Sequence, residues 1–111
     1  MEIQDRQMGN VTILSLKGSI DAMMAPKITE FIQGQVARGN INLVGDLAGV
    51  DYTSSAGLRV LLGAIKDTRS QGGDLRLTSV QPDVLKVLTL SGFTNILKMF
   101  DRFDEAVASY S

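Results

Sequence analysis

The stretch Ile41-Asn42-Leu43-Val44-Gly45-Asp46-Leu47 constrains the fold more than any other, because it reads as a strand that is mostly apolar along its length. A strand with one face in water alternates apolar and polar side chains. A strand covered on both faces does not, and such coverage is the mark of parallel sheets crossed by helices. The flanking segments have the period that such a sheet requires. Upstream, Ile28, Phe31, Ile32 and Val36 fall at helical spacing, with Pro26 placed for the first turn and Gly39 for the stop. Downstream, Leu58, Leu61, Leu62 and Ile65 mark a second helix that closes near Gln71-Gly72-Gly73.

The remaining segments continue the alternation. Val11 to Lys17 is a strand rich in β-branched residues and ended by Gly18, and the residues up to Met8 form its hairpin partner across a Gly9-Asn10 turn. Leu75 to Val80 predicts a third core strand. Pro82 opens a helix carrying Val84, Val87 and Leu88, with Ser91-Gly92 as its C-cap. Ile96 to Phe100 predicts a short edge strand. Phe103, Ala106, Val107 and Tyr110 lie on one face of a terminal helix that starts near Asp101 or Asp104. The order β-β-α-β-α-β-α-β-α implies an α/β fold, a mixed and mostly parallel sheet packed with about four helices and edged by an N-terminal antiparallel hairpin. No repeat, low-complexity tract or linker interrupts residues 1–111, and the chain is expected to form one domain. Sites in such sheets lie beyond the carboxyl ends of strands, which directs attention to Gly18–Pro26 and Asp46–Gly57.

Composition narrows the chemistry. The chain has no cysteine, histidine or tryptophan, which excludes thiol nucleophiles, disulfides, Cys- or His-ligated zinc and every triad that needs an imidazole base. Eleven basic residues against twelve acidic ones give a formal charge of -1, so no global footprint for nucleic acid or anionic lipid exists. Apolar runs are far shorter than the roughly 20 residues that cross a bilayer. The charged start Met1-Glu2-Ile3-Gln4-Asp5-Arg6 does not resemble a signal peptide, and a cytoplasmic location is expected, without membrane insertion.

Three consecutive hydroxyl residues, Thr53-Ser54-Ser55, stand just before the second helix. Any of them suits an N-cap, a contact worth about 1 kcal/mol, but three exceed what a cap requires. Phosphorylation here adds roughly -1.5 to -2 units of charge at a helix N-terminus, where free N–H groups and the dipole favour an anion. Gly57 is read as keeping the nearby surface open to another protein's active site. Arg59, four residues after Ser55, is either a partner for the added charge or an ordinary solvated helix residue. The Ala22-Met23-Met24 run is either an adaptable partner contact or core filling at a helix entrance.

At this segment the sequence resembles a known family. Asp46-Leu47 followed by Val50-Asp51-Tyr52-Thr53-Ser54-Ser55-Ala56-Gly57-Leu58 is similar to the signature of the STAS domain, as found in bacterial anti-sigma factor antagonists of the sporulation and general-stress type. Leu16-Lys17-Gly18-Ser19-Ile20-Asp21 resembles the family's Gly-Glu-Leu-Asp segment. Gln71-Gly72-Gly73-Asp74-Leu75 and Leu90-Ser91-Gly92-Phe93 match its later turns in place and spacing.

The resemblance implies a single STAS-like domain that is a binding module and not an enzyme. In such antagonists the unphosphorylated form binds a partner that is both anti-sigma factor and serine kinase, of the GHKL ATPase type, and this frees the sigma factor. Phosphorylation switches the binding off, and a PP2C-like serine phosphatase resets it. The family pattern is Asp-Ser-Ser-Gly-Leu or Asp-Ser-Thr-Gly-Leu, with the first hydroxyl after Asp modified. Carried onto this chain, the modified position is Ser55, with Ser54 as the alternative; Ser54 stands in the place of the Asp and Ala56 in that of the second hydroxyl. Asp21 matches a carboxylate expected near Ser55, and Met24 stands where the family often has Thr. The implied partner surface comprises Asp21, Met23, Met24, Thr53, Ser54, Ser55, Ala56, Gly57, Leu58 and Arg59, with no catalytic residue, cofactor or metal of its own. Two other readings stay open. One is a non-switching STAS subunit of a larger assembly, such as a phospholipid-transport ATPase complex or a stress-sensing scaffold. The other is a small enzyme using Asp21, Asp46 or Asp51 as acid and base.

Overall fold

The computed structural model describes residues 1–111. Strand β1 (Glu2–Met8) turns through Gly9, at φ +62°, into β2 (Val11–Ile20), and the two pair antiparallel from Glu2↔Lys17 to Met8↔Val11. Helix α1 (Ala25–Ala37) leads to β3 (Asn42–Thr53), α2 (Ser55–Ser70) to β4 (Asp74–Thr78), and α3 (Pro82–Leu90) to β5 (Met99–Phe100), with α4 (Phe103–Ala108) last. The sheet order is β1-β2-β3-β4-β5, and every pairing except β1–β2 is parallel.

This sequential order decides where the helices lie. Parallel strands added one after another in the same direction by right-handed crossovers place all their helices on one face. Leu43, Leu47, Leu75 and Leu77 accordingly join residues of α1, α2 and α3 in a main core cluster of 20 buried residues. Helix α4 follows the edge strand and makes no crossover, so it folds onto the other face. There Val11, Ile13, Val44 and Ala106 form a second cluster of 4, with Phe103, Val107 and Tyr110 packed against it. The two faces explain the unusual run in β3: Leu43 and Val44 point in opposite directions and both are 0% exposed.

Several boundaries differ from the sequence expectation. Gly18 does not end β2. It takes φ +120° inside the strand, and register shifts between Ser15 and Lys17 and between Gly18 and Ser19 let β2 and β3 run on together to Ile20 and Thr53. β4 stops at Thr78 because Ser79 turns to φ +58°, leaving Val80 outside the strand. β5 has only two residues: Phe93–Asn95 forms a 3-10 turn, and Phe93 and Leu97 are drawn into the core instead of extending along the edge. The N-cap of α4 is Arg102, between the two expected aspartates, and its guanidinium pairs with Asp104 at 3.1 Å.

The amino-terminal edge of the parallel strands is fastened by buried polar groups, and no buried side-chain nitrogen or oxygen lacks a hydrogen-bond partner. Gln35, 0% exposed, donates from Nε2 to Asp5 at 2.9 Å and accepts from Asn40 Nδ2 at 2.9 Å, which ties β1 to the end of α1. Asp74 receives Arg69 Nε at 2.9 Å and Arg76 Nε at 3.1 Å. Arg76 in turn lies 4.0 Å from the Tyr110 ring centre. The Tyr110 hydroxyl sits 2.7 Å from the Leu43 carbonyl oxygen and 2.8 Å from that of Asp74, and burial pushes its pKa well above the usual phenol range. No helix is long and apolar enough to cross a membrane.

Candidate functional site

At the carboxyl edge the three hydroxyl residues have separate tasks. Thr53 closes β3 with its side chain inward and is 5% exposed; its Oγ1 donates to the Ser54 carbonyl oxygen at 3.3 Å. Ser54 is the N-cap of α2, in extended conformation, and its Oγ accepts from Gly57 N at 3.4 Å. Ser55 is the first residue of the helix and is exposed. Packing takes one hydroxyl and capping a second, so the third faces solvent at a helix N-terminus.

Gly57 has a different role from the one its position in the sequence suggests. It is buried, not part of an open surface: a Cβ there would lie 2.3 Å from Thr53 Oγ1 and 2.7 Å from Ile20 Cγ2. Only glycine lets the first turn of α2 seat against the ends of β2 and β3. A backbone bond from Ser54 N to the Ile20 carbonyl oxygen at 2.9 Å completes the joint. The position of Ser55 is thus set by the Ser54 backbone bond before it and the Gly57 seat after it.

The same joint brings the β2–α1 loop alongside, because Asp21 directly follows Ile20. Asp21 Oδ1 accepts from Met23 N and Met24 N, both at 3.0 Å, and its carbonyl oxygen accepts from Ala25 N at 3.1 Å. Its carboxylate therefore caps the turn into α1, whose own N-cap, Met24, has no side-chain cap bond. Asp21 makes no hydrogen bond to Ser55. The two methionines part company: Met24 packs against the main core, whereas Met23 is 83% exposed. Ala56 and Leu58 are half-buried against the core, and Arg59 is exposed without an ion-pair partner.

Tyr52 belongs to this surface and the sequence reasoning missed it. At 54% exposed it stands one residue before Thr53. Strand alternation gave the clue, since an inward Thr53 sends its neighbour outward. The acidic residues weighed as acid and base are spread over local bonds: Asp46 accepts from Ala48 N at 3.0 Å, and Asp51 from Ser19 Oγ at 3.0 Å. Between α1 and α2, beside Ala56 and Arg59, an open groove of about 690 Å³ is walled on the α1 side by Pro26, Thr29, Glu30 and Gln33.

Known proteins share this fold. The Bordetella bronchiseptica protein BtrV is 32% identical over 110 residues, covering 99% of this chain and 95% of that protein. An anti-sigma-B factor antagonist of Listeria monocytogenes is 30% identical over 99 residues, covering 89% and 86% of the two chains. Among solved structures, tm1081 of Thermotoga maritima superposes with a TM-score of 0.92 at 23% identity, over 96% of this chain and 92% of that one. The phosphorylated form of the Bacillus cell fate determinant SpoIIAA superposes with a TM-score of 0.77 at 18% identity, over 99% and 100%. The model of the STAS domain matches residues 2–106, and this chain belongs to the STAS domain family.

Proposed function

We propose that this protein is an anti-sigma factor antagonist. In its unphosphorylated form it binds an anti-sigma factor that is also a serine kinase of the GHKL ATPase type, and the sigma factor is released. The kinase transfers the γ-phosphoryl group of ATP to Ser55 Oγ, its own base takes the hydroxyl proton, and ADP leaves. A PP2C-like phosphatase restores the hydroxyl by hydrolysis. The exchange takes place in the cytoplasm. The division of labour among Thr53, Ser54 and Ser55 carries the reading, because it leaves Ser55 alone free for a partner's active site. The anti-sigma-B factor antagonists among the relatives support it.

The physics gives the switch its direction. In the free chain a phosphate on Ser55 is tolerated, since the first N–H groups of α2 and the helix dipole face it and Arg59 stands one turn on. In the complex the same roughly -1.5 to -2 charge is pressed against a nucleotide-bearing site, where repulsion and desolvation oppose it. A difference of about 3 kcal/mol changes affinity on the order of a hundredfold. Met23, Tyr52 and Arg59, exposed on the segments that adjoin the serine, are of the types enriched at interfaces. The experiment is phosphotransfer from ATP by the anti-sigma kinase. Label is expected in wild type and Ser54→Ala and lost in Ser55→Ala, and Ser55→Asp is expected to lose binding. Labelling of Ser55→Ala at the wild-type level overturns the site, and full-strength binding by Ser55→Asp overturns the switch.

A further inference from the structure

Helix α2 contains a glycine that its own fold does not use. Gly63 lies in the helix interior, where glycine costs about 1 kcal/mol relative to alanine. Its backbone is not left-handed, and a Cβ placed on it would meet nothing within 4 Å. Gly57, six residues earlier, has a packing reason; Gly63 has none within the chain. Instead it floors a notch of about 70 Å³ that continues, through Thr29, Gln33, Arg59 and Val60, into the larger groove between α1 and α2.

The charges around this notch are arranged symmetrically. Arg59 stands four residues before Gly63 and Asp67 four residues after it, on one ridge of the helix, and all three line the notch. Neither charge is paired: the ion pairs of the chain are Arg69–Asp74, Arg76–Asp74 and Arg102–Asp104. A cation and an anion equidistant from a central glycine are complementary to the same ridge turned end for end. A two-fold axis through Gly63 sets Arg59 of each chain opposite Asp67 of the other, which is the self-matching that an isologous contact demands. The missing side chain at the centre lets the two helices cross at close range.

We propose that the α1–α2 face is a docking surface for a second copy of this chain, with the two α2 helices antiparallel, crossing at Gly63 and joined by two Arg59–Asp67 ion pairs. One ridge and two exposed ion pairs make a small contact, so the dimer is weak, with a dissociation constant on the order of 10 µM to 1 mM. It covers the groove beside Ala56 while leaving Ser55 two turns from the crossing point.

Sedimentation equilibrium over that concentration range tests it on the intact chain. Wild type is expected to rise in mass toward that of two chains. Arg59→Asp and Asp67→Arg should each stay monomeric tenfold higher in concentration, and the double variant Arg59→Asp/Asp67→Arg should dimerise again because the swap restores both pairs. Gly63→Gln should stay monomeric with an unchanged circular dichroism spectrum, since its side chain fills the notch and not the core. A wild-type chain that remains monomeric at 1 mM overturns the proposal. So does a dimer indifferent to the single charge changes, or a double variant that fails to recover.

Discussion

The two edges of the sheet are built on opposite plans. At the amino-terminal edge two buried polar side chains anchor a network, Gln35 bonded to Asp5 and Asn40 and Asp74 to two arginines, and half-buried Tyr110 reaches two backbone carbonyls. At the carboxyl edge the fastening runs through the main chain, by the Ser54–Ile20 bond, the close seat of Gly57 against Thr53 and Ile20, and the bonds of Ser54 and Asp21 side chains to backbone N–H groups, while Ser55, Met23, Tyr52 and Arg59 stay exposed. A buried polar network fixes one arrangement of side chains and tolerates no change in charge. A main-chain joint fixes the backbone and leaves side chains free to be modified or covered. This fold concentrates its side-chain rigidity away from the surface proposed for a partner and a phosphate.

On that contrast the largest loss of stability is expected at the amino edge. Asp74→Ala strips the counter-charge from Arg76, whose side chain is 13% exposed, and from the half-exposed Arg69. Leaving a buried cation unpaired costs on the order of 3 kcal/mol, and the midpoint of urea unfolding should fall accordingly. An Asp74→Ala chain that unfolds with the wild type would break the comparison at its stronger end.

Gly57→Ala tests the one rigid point of the carboxyl edge. A methyl group 2.3 Å from Thr53 Oγ1 cannot be accommodated unless α2 shifts from the strand ends. Overpacking of this kind costs about 1–3 kcal/mol. The shift moves Ser55 with the helix, so the rate of phosphotransfer is expected to fall further than stability alone explains. The measurements are a denaturation curve and an initial labelling rate on the same preparation.

Tyr110→Phe probes the amino edge more gently. It removes a hydroxyl held by two carbonyls and leaves the ring under Arg76, a loss of about 1 kcal/mol at neutral pH. It also has a pH signature. The phenol pKa is raised in the folded state, chiefly by burial, so the folded chain holds its proton where the unfolded chain has lost it. Stability from this source is complete below about pH 10, the phenol's value in an unfolded chain, and is lost as pH rises further. The variant should therefore show a shallower loss of stability between about pH 10 and 12 than wild type.

The sequence was most informative where a single local rule decides the outcome. The period change at Pro26, the Gly9 turn and the apolar run of β3 each follow from one such rule, and the order of nine elements followed from them. It was least informative where two segments distant in sequence meet. The burial of Gly57 is not legible locally, because its partners, Thr53 and Ile20, come together only when β2 and β3 are extended past Gly18 by register shifts. Nor could the separate fates of Met23 and Met24 be read locally, since Asp21 bonds to the backbone of both and only the turn decides which side chain enters the core. The hydroxyl triplet was visible, but its division into packing, cap and free serine needed the strand end and the helix start in three dimensions.

That division leads to the smallest predicted difference and the most discriminating one. Ser54→Ala removes the acceptor for Gly57 N and should lower stability by about 1 kcal/mol, the usual worth of an N-cap. Ser55→Ala removes a hydroxyl that bonds to nothing in the chain and should change stability by less than about 0.5 kcal/mol. The functional order is reversed: phosphotransfer should survive the first change and vanish with the second. Two adjacent serines would then differ in opposite senses in two assays, one by thermal unfolding and one by labelling. Equal unfolding temperatures for the two variants would mean that Ser54 is no cap, and the carboxyl edge would lose the local order on which the exposure of Ser55 depends.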